Sequence, residues 1–442
     1  MSFLLADWRD RPTHRRVWAL AAPMILSNIS VPLVALVDST VIGHLPHAHQ
    51  LGAVAVGASL YIYLAWMMGF LRMGTTGFAA QAAGRGDGTA LRQILVQGLL
   101  LGLGLSLFLA AIALPFSRVA LSVMQPSPEL HDMTLAFFHN RLFGLPASLA
   151  SYALVGWFLG AQNARAPLAI LLTTNLMNIA LNLWFVLGLD WGVVGSARAS
   201  VIAEWSGALL GLWLTRGALR AYPGKMAWAA LRVWQNWKPL LGVNRDIFIR
   251  SLLLQSVFFA ITVQGARLGD ATVAANALLL NGLLLTAHAL DGLAHAVEAL
   301  CGHAIGARDR TALRRSMVVA CGWSLLASAL FALLFLLGGH WFVEMQTDIA
   351  SVRETAFQYL PYLAVLPLIA VWSYLLDGLF IGATRAREMR NAMLLSVAIA
   401  FPVAWALQGD GNHGLWISFL LFMVLRSGIL GLYATRIRWF TP

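Results

Sequence analysis

The sequence predicts an all-α polytopic membrane protein, with twelve transmembrane helices in two six-helix lobes related by a pseudo-two-fold axis. Three observations predict it. The chain is too apolar to be a soluble domain. Its connections alternate between basic and non-basic. Its second half repeats the first at a fixed spacing.

Of 442 residues, 59% are hydrophobic and only 11% are charged. Soluble domains carry roughly 25% charged residues, and a water-soluble fold of this length could not bury so much apolar surface. The surplus faces lipid, so the bilayer is the chain's first partner. The net charge of +11 does not point to nucleic acid, because the basic residues sit in short clusters between apolar runs rather than in one patch. Cys301 and Cys321 supply neither a disulfide framework nor a zinc spacing. The stretch after Arg16 is too long for a signal-peptide core and is read as a retained first membrane helix.

Glycine, proline and charge clusters separate twelve apolar segments: 17–43, 51–82, 91–116, 132–161, 167–188, 193–216, 241–267, 271–304, 313–338, 354–382, 391–408 and 414–436. Each is long enough to cross hydrocarbon, which takes roughly 17–25 residues. Alternate connections are basic. They carry Arg85 and Arg92, then Arg165, then Arg216 to Lys238, then Arg308 to Arg315, then Arg385 to Arg390. Both ends are basic as well, whereas His44–Gln50, Pro126–His131, Gly269–Asp270, Gly339–Asp348 and Gly409–His413 are poor in Lys and Arg. Positive charge stays on the cytoplasmic side, so both termini are expected in the cytoplasm of a bacterial inner-membrane protein.

The repeat is explicit. Ala79 to Arg92 matches Cys301 to Arg314, a shift of 301 − 79 = 222. Without gaps, the same shift pairs Gly156, Phe158 and Gly160 with Gly378, Phe380 and Gly382, and Gly192 and Ser196 with Gly414 and Ser418. Six spans per repeat is an even number, so both halves run in the same sense. The expected division is an N-lobe over 1–216, a cytoplasmic inter-lobe loop over 217–238 and a C-lobe over 239–442. A cavity between the lobes and alternating access by rocking are expected.

Ionisable groups inside hydrocarbon are costly, which makes each a functional candidate. Asp38 lies deep in the first segment, on one helical face with Ser27, Val31 and Val34. Its repeat partner is Ala260. Asn175, Asn178 and Asn182 fall on one face of the fifth segment, and their partners Val397, Ala400 and Ala404 are apolar. The eighth segment holds His288, Asp291, His295 and Glu298 within one quarter of its circumference. One helix cannot enclose an ion with such ligands, so a polar cavity wall or a second protonation site is the reading there, and no metal is expected. Asp377 in the tenth segment is a candidate of the same kind. Glu204 and Arg426 are further intramembrane charges, each expected to pair with a partner that the sequence does not identify. No nucleotide-binding or nucleophile motif is present, so no cofactor is expected and an ion gradient is the expected energy source.

At these residues the chain resembles a family. Ala22-Pro23-Met24, Val37-Asp38-Ser39-Thr40 and the doubled six-helix plan are similar to the MATE (multidrug and toxic compound extrusion) exporters. Leu290 to Ala299, Gly306-Ala307-Arg308 and Asp377 to Thr384 resemble its DinF branch. The resemblance implies efflux antiport of drugs or organic cations coupled to H⁺ or Na⁺, with Asp38 as the coupling carboxylate and Asn178 as a polar site position. The family often has Asp where this chain has Asn182. The resemblance also puts an acid on the seventh segment of Na⁺-coupled relatives, whereas Gln255 and Gln264 are read as the interior polar groups here, which favours H⁺. Asn175, Asn178, Asn182, Asp291, Glu298 and Asp377 are the expected substrate- or cation-binding residues, and the protein is expected to act as a monomer. The alternative is a flippase of the wider superfamily, whose cavity would be cationic. No catalytic constellation supports an enzyme.

Overall fold

In hydrocarbon no water satisfies backbone N–H and C=O groups, so each spanning segment must satisfy its own, as a helix does. The computed structural model describes residues 6–43, 48–124, 127–437 and 439, and among the described residues there is no strand. The first segment is α1 (Arg11–Gly43). The second is α2 (Ala48–Trp66) and α3 (Phe70–Gly84), joined by a 3-10 turn at Met67–Gly69. The third is α4 (Gly88–Met124), and the fourth is α5 (Pro128–Leu142) followed by α6 (Leu145–Gly160). The fifth is α7 (Arg165–Asn182), running into a π-helical turn at Leu183–Gly188, and the sixth is α8 (Gly192–Arg220). The remaining six are α9 (Lys238–Arg267), α10 (Asp270–Gly306), α11 (Arg310–Glu344), α12 (Ala350–Gly382), α13 (Ala386–Ala406) and α14 (Gly411–Arg436).

Every predicted apolar segment is therefore helical. By length and hydropathy alone, eight helical stretches among the described residues qualify as spans, or nine if α5 and α6 count as one bent by 46°. That count runs α13 and α14 together as Ala386–Arg436 and leaves out α1 and also α8, which carries Arg198, Glu204 and Arg216.

The chain forms two compact units, one over Leu26–Leu240 and one joining the residues up to Ile25 with those from Leu241 onward. Within the first, α6 lies against α3 and α4, α7 against α8, and α2 against α5. Within the second, α12 packs on α10, α11 and α14.

Each unit reproduces the repeat in its atomic contacts. Hydrocarbon gives helices little hydrophobic reason to associate, so close backbone approach through small residues does the work. On α6, a Cβ at Gly160 would lie 2.7 Å from the Thr76 carbonyl oxygen and 2.7 Å from the Ala80 nitrogen of α3. On α12, a Cβ at Gly382 would lie 2.5 Å from the Glu298 oxygen and 2.9 Å from the Gly302 nitrogen of α10. All three residue pairs differ by 222. The helix ends agree too. Gly86 and Arg308 take φ of 68° and 56°, and Gln162 and Thr384 take 62° and 57°. Each closes its helix with two reversed backbone bonds: Gly86 to Ala83 and Asp87 to Ala82, matched by Arg308 to Ile305 and Asp309 to Ala304. Asp87 and Asp309 then cap the next helix, each accepting at 2.9 Å from Ala90 and Ala312.

The chain before α1 is anchored within the second unit. Asp7 is buried and accepts from Arg314 Nε at 2.6 Å and Arg315 Nε at 3.4 Å. Trp8 stands over Gly322, and His14 accepts from Trp323 Nε1 at 2.9 Å. The Arg314 hydrogen bond holds the Asp7 carboxyl below the usual carboxylate range, against the opposing effect of its burial. A depressed folded pKa stabilises above the unfolded value of about 3.9 and is lost as pH falls through the folded value. Hydrogen exchange over residues 6–16, corrected for intrinsic rates, should show constant protection from pH 8 down to about 4 and a loss only in stronger acid. Asp7→Asn should lose that protection several-fold at neutral pH. Unchanged protection in the variant would show that Arg314 and Arg315 do not hold this segment.

Candidate functional site

The amides of α7 form two hydrogen-bonded strings in the first unit. Asn175 Nδ2 donates to Ser30 Oγ on α1 at 2.7 Å, and Ser30 Oγ donates to the Ser27 carbonyl at 2.6 Å. Asn182 Nδ2 donates to Asn178 Oδ1 at 3.1 Å, Asn178 Nδ2 to Ser200 Oγ on α8 at 2.9 Å, and Ser200 Oγ to the Ser196 carbonyl. Asn178 and Asn182 are buried. The spacing that puts these asparagines on one face thus ties α7 to both α1 and α8. Directly after Asn182 the helix widens into the π turn, a distortion frequent at functional sites. Asp38 lies in α1, and its side chain falls outside the described residues.

An ion pair closes the same unit. Arg141, at the end of α5, donates both terminal nitrogens to Glu204 on α8, at 3.0 and 2.7 Å. Its guanidinium stacks 3.8 Å from the Tyr61 ring centroid. The Glu204 carboxylate occupies the space a Cβ at Gly144, in the α5–α6 break, would need. Glu204 is thereby neutralised by a bidentate partner, as its place in an apolar segment requires.

The second unit has its own buried charges. Asp377 Oδ2 on α12 accepts from Arg250 Nη1 on α9 at 2.8 Å and from Arg426 Nη2 on α14. All three side chains are at most 12% exposed. The charges of Asp291 and Glu298 on α10 also act on Arg250, so the acids of α10 and α12 belong to one electrostatic neighbourhood. His288 Nδ1 instead bonds the Leu284 carbonyl of its own helix. Among the described residues no three metal-ligating side chains converge.

A cavity of about 740 Å³ opens between α9, α13 and α14. Its lining includes Ala260, Val397, Ala400 and Ala404, the positions 222 after Asp38, Asn175, Asn178 and Asn182. Where the first unit carries a polar network, the second carries an apolar hollow.

The structure brings Asn175, Asn178 and Asn182 together and gathers Asp377 with the α10 acids. Arg250, Arg141 and Tyr61 are absent from the sequence-based candidates, although Arg250 and Arg141 sit inside apolar segments and could have been found by that signal. The seventh segment differs from expectation. Gln255 is exposed, and the buried polar groups of α9 are Asn244, Asp246 and Arg250. Asp246 is an acid on that helix, and it accepts from Arg390 Nη1 at 2.7 Å. The two deep arginines do not line the 740 Å³ cavity; they share Asp377.

A family model described as MatE matches residues 23–184 and 247–406, once in each half. The chain belongs to the MatE family. It is 45% identical over 417 residues to DNA damage-inducible protein F of Escherichia coli, covering 94% of this chain and 90% of that protein. It is 25% identical over 438 residues to multidrug resistance protein PmpM of Pseudomonas aeruginosa, covering 92% and 88%. Its fold matches a solved MATE in the bent conformation with TM-score 0.85 at 17% identity, over 99% of this chain and 97% of that one. It also matches the outward-facing conformation of a multidrug resistance MATE family transporter, with TM-score 0.85 at 17% identity over 96% and 95%. MatE proteins are transporters rather than enzymes, and this one is a multi-pass integral membrane protein. The twelve-span plan fits the family fold.

The ionic cluster carries a prediction. Removing one partner of a buried ion pair costs about 3–5 kcal/mol because the remaining charge is stranded. Asp377→Asn removes the carboxylate that Arg250 and Arg426 share, so the purified protein in detergent should unfold at a markedly lower temperature. An unchanged melting temperature would mean that water reaches Arg250 and Arg426.

Proposed function

We propose that this MatE protein is a proton-coupled efflux antiporter of the bacterial inner membrane, exporting cationic or amphipathic small molecules with Asp38 as the coupling carboxylate. The observation that carries the reading is the asparagine network of α7. Asn175 meets α1 at Ser30, and α1 and α7 are odd-numbered spans that run in the same sense. Advancing seven or eight residues along each, at 1.5 Å per residue, brings Asp38 to about the level of Asn182. A carboxylate there only accepts hydrogen bonds, and a protonated carboxyl also donates one. Amides donate and accept, so the α7 face can partner either form.

A cationic substrate and a proton then compete for one carboxyl. Competition of that kind yields antiport if the inward- and outward-open states differ in affinity for each ligand. The rocking bodies would be the N-lobe (1–216) and the C-lobe (239–442), joined by the 217–238 loop, in a monomer, with the residues up to Ile25 moving with the C-lobe they pack in. The Lys and Arg of the basic connections would hold both termini in the cytoplasm. Support for H⁺ rather than Na⁺ comes from α9, whose acid Asp246 is engaged by Arg390. Asp291 and Glu298 are the carboxylates of the other half that could line a substrate path. The names of several relatives refer to multidrug resistance, which supports drugs as cargo.

Asp38→Asn should insert and fold normally yet reduce export to the protein-free leak in proteoliposomes under an imposed pH gradient. Asn182→Asp should keep export and shift its pH profile. Wild-type export by folded Asp38→Asn protein would remove Asp38 from the mechanism and leave Asp291 and Glu298 as the coupling candidates.

A further inference from the structure

The apolar hollow of the second unit has its own polarity. Its walls are hydrophobic, with Ile261 on α9, Phe401 and Trp405 on α13, and Phe419 and Phe422 on α14. The two serines in the lining are already satisfied by their own helices, Ser256 by Leu253 and Ser418 by Gly414. They leave no free hydrogen-bond donor along the wall. From Ser256 to Arg267 the lining runs along about 16 Å of α9.

At the Arg267 end the chemistry changes. Gln264, Arg267 and Gln408 line the cavity there. Among the described residues none of their side chains has a hydrogen-bond or ion-pair partner. Among the described residues Arg267 is the single charge in the lining, and no carboxylate lines the cavity. The volume of about 740 Å³ is within the roughly 300–1,000 Å³ of small-molecule sites, which combine apolar walls with a few convergent polar groups. An amphiphilic cation would find no counter-charge here. A carboxylate, sulfonate or phosphate head would find a guanidinium that can bind it in two-pronged fashion, with two amides beside it.

We propose that this cavity binds single-tailed anionic amphiphiles taken from solution, with the headgroup held by Arg267, Gln264 and Gln408 and the apolar body lying between α9, α13 and α14. It occupies the repeat position of the asparagine network but takes the opposite sign of ligand. The two halves of the chain therefore select different cargo chemistry.

The test measures equilibrium binding of radiolabelled dodecanoate to the full-length protein in phosphatidylcholine nanodiscs, with dodecyltrimethylammonium as the chain-matched cation. Arg267→Gln, at an exposed position, should weaken dodecanoate binding about tenfold or more, the worth of a charge-assisted hydrogen bond. It should leave dodecyltrimethylammonium binding unchanged. Ala404→Trp fills the cavity and should remove dodecanoate binding, with thermal unfolding read alongside to confirm the fold. Wild-type dodecanoate affinity in Arg267→Gln would overturn the proposal. So would equal weakening of both probes, since that signals lost structure rather than lost charge recognition. A final arm adds phosphatidylglycerol to the disc. Displacement of dodecanoate in proportion to its mole fraction would identify the occupant as a bilayer lipid and overturn uptake from solution; undiminished binding supports it.

Discussion

Close approach of helix backbones is the constraint on which the rest of this protein depends. Lipid tails are as apolar as leucine, so helices gain little from the hydrophobic effect by meeting. They gain from packing, and glycine permits it by removing the Cβ that would collide. Gly160 against α3 and Gly382 against α10 are the same solution used twice. Because Gly382 sits over the Glu298 and Gly302 backbone, α10 and α12 are fixed side by side, and Asp377 comes into the neighbourhood of the α10 acids. The α6–α3 contact fixes the corresponding frame in the first unit, and α8 packs on that frame with Glu204 facing Arg141.

Charge satisfaction is the second constraint, and it sorts the polar residues by role. Glu204, Asp246 and Asp377 each meet at least one arginine. A carboxylate held by guanidinium groups in low dielectric is committed to structure, since releasing it would strand its partners. The amides of α7 carry no charge, and Asn175 and Asn178 each donate one hydrogen bond to a serine on a neighbouring helix. They can exchange partners at far lower cost, as a site that must bind and release requires. The two corresponding positions of the repeat divide along the same line, one carrying exchangeable amides and the other an apolar hollow.

Much of this was legible in the sequence, for identifiable reasons. Hydropathy records where a chain is buried in lipid, so all twelve segments were visible. It does not record direction. The 3-10 turn at Met67–Gly69 and the break at Phe143–Gly144 both lie inside single apolar runs. The 222-residue shift was visible because glycine cannot be replaced where backbones touch. The left-handed caps at Arg308 and Thr384 were hidden, since neither residue advertises a positive φ as Gly86 does. The asparagine face followed from helical spacing, but its partners Ser30 and Ser200 lie on other helices. Asp377 stood out as an acid in an apolar run. Its partners are 127 and 49 residues away in the chain, a separation that no local pattern bridges.

Glu204 and Arg426 occupy the same repeat position with opposite charge, since 204 + 222 = 426. Each finds its counter-ion on its own side of the duplication: Arg141 for the first, Asp377 for the second. At this repeat position each half therefore balances its own charge, unlike Asp7, which reaches Arg314 and Arg315 of the other half. A duplicated ancestor could invert the sign at this position in one copy without asking the other copy to compensate. That independence removes a barrier to divergence that would exist had the pair bridged the halves. It also means that a gene fusing two copies of either half would encode a chain in which this ion pair, Glu204 with Arg141 or Arg426 with Asp377, still closes in both copies.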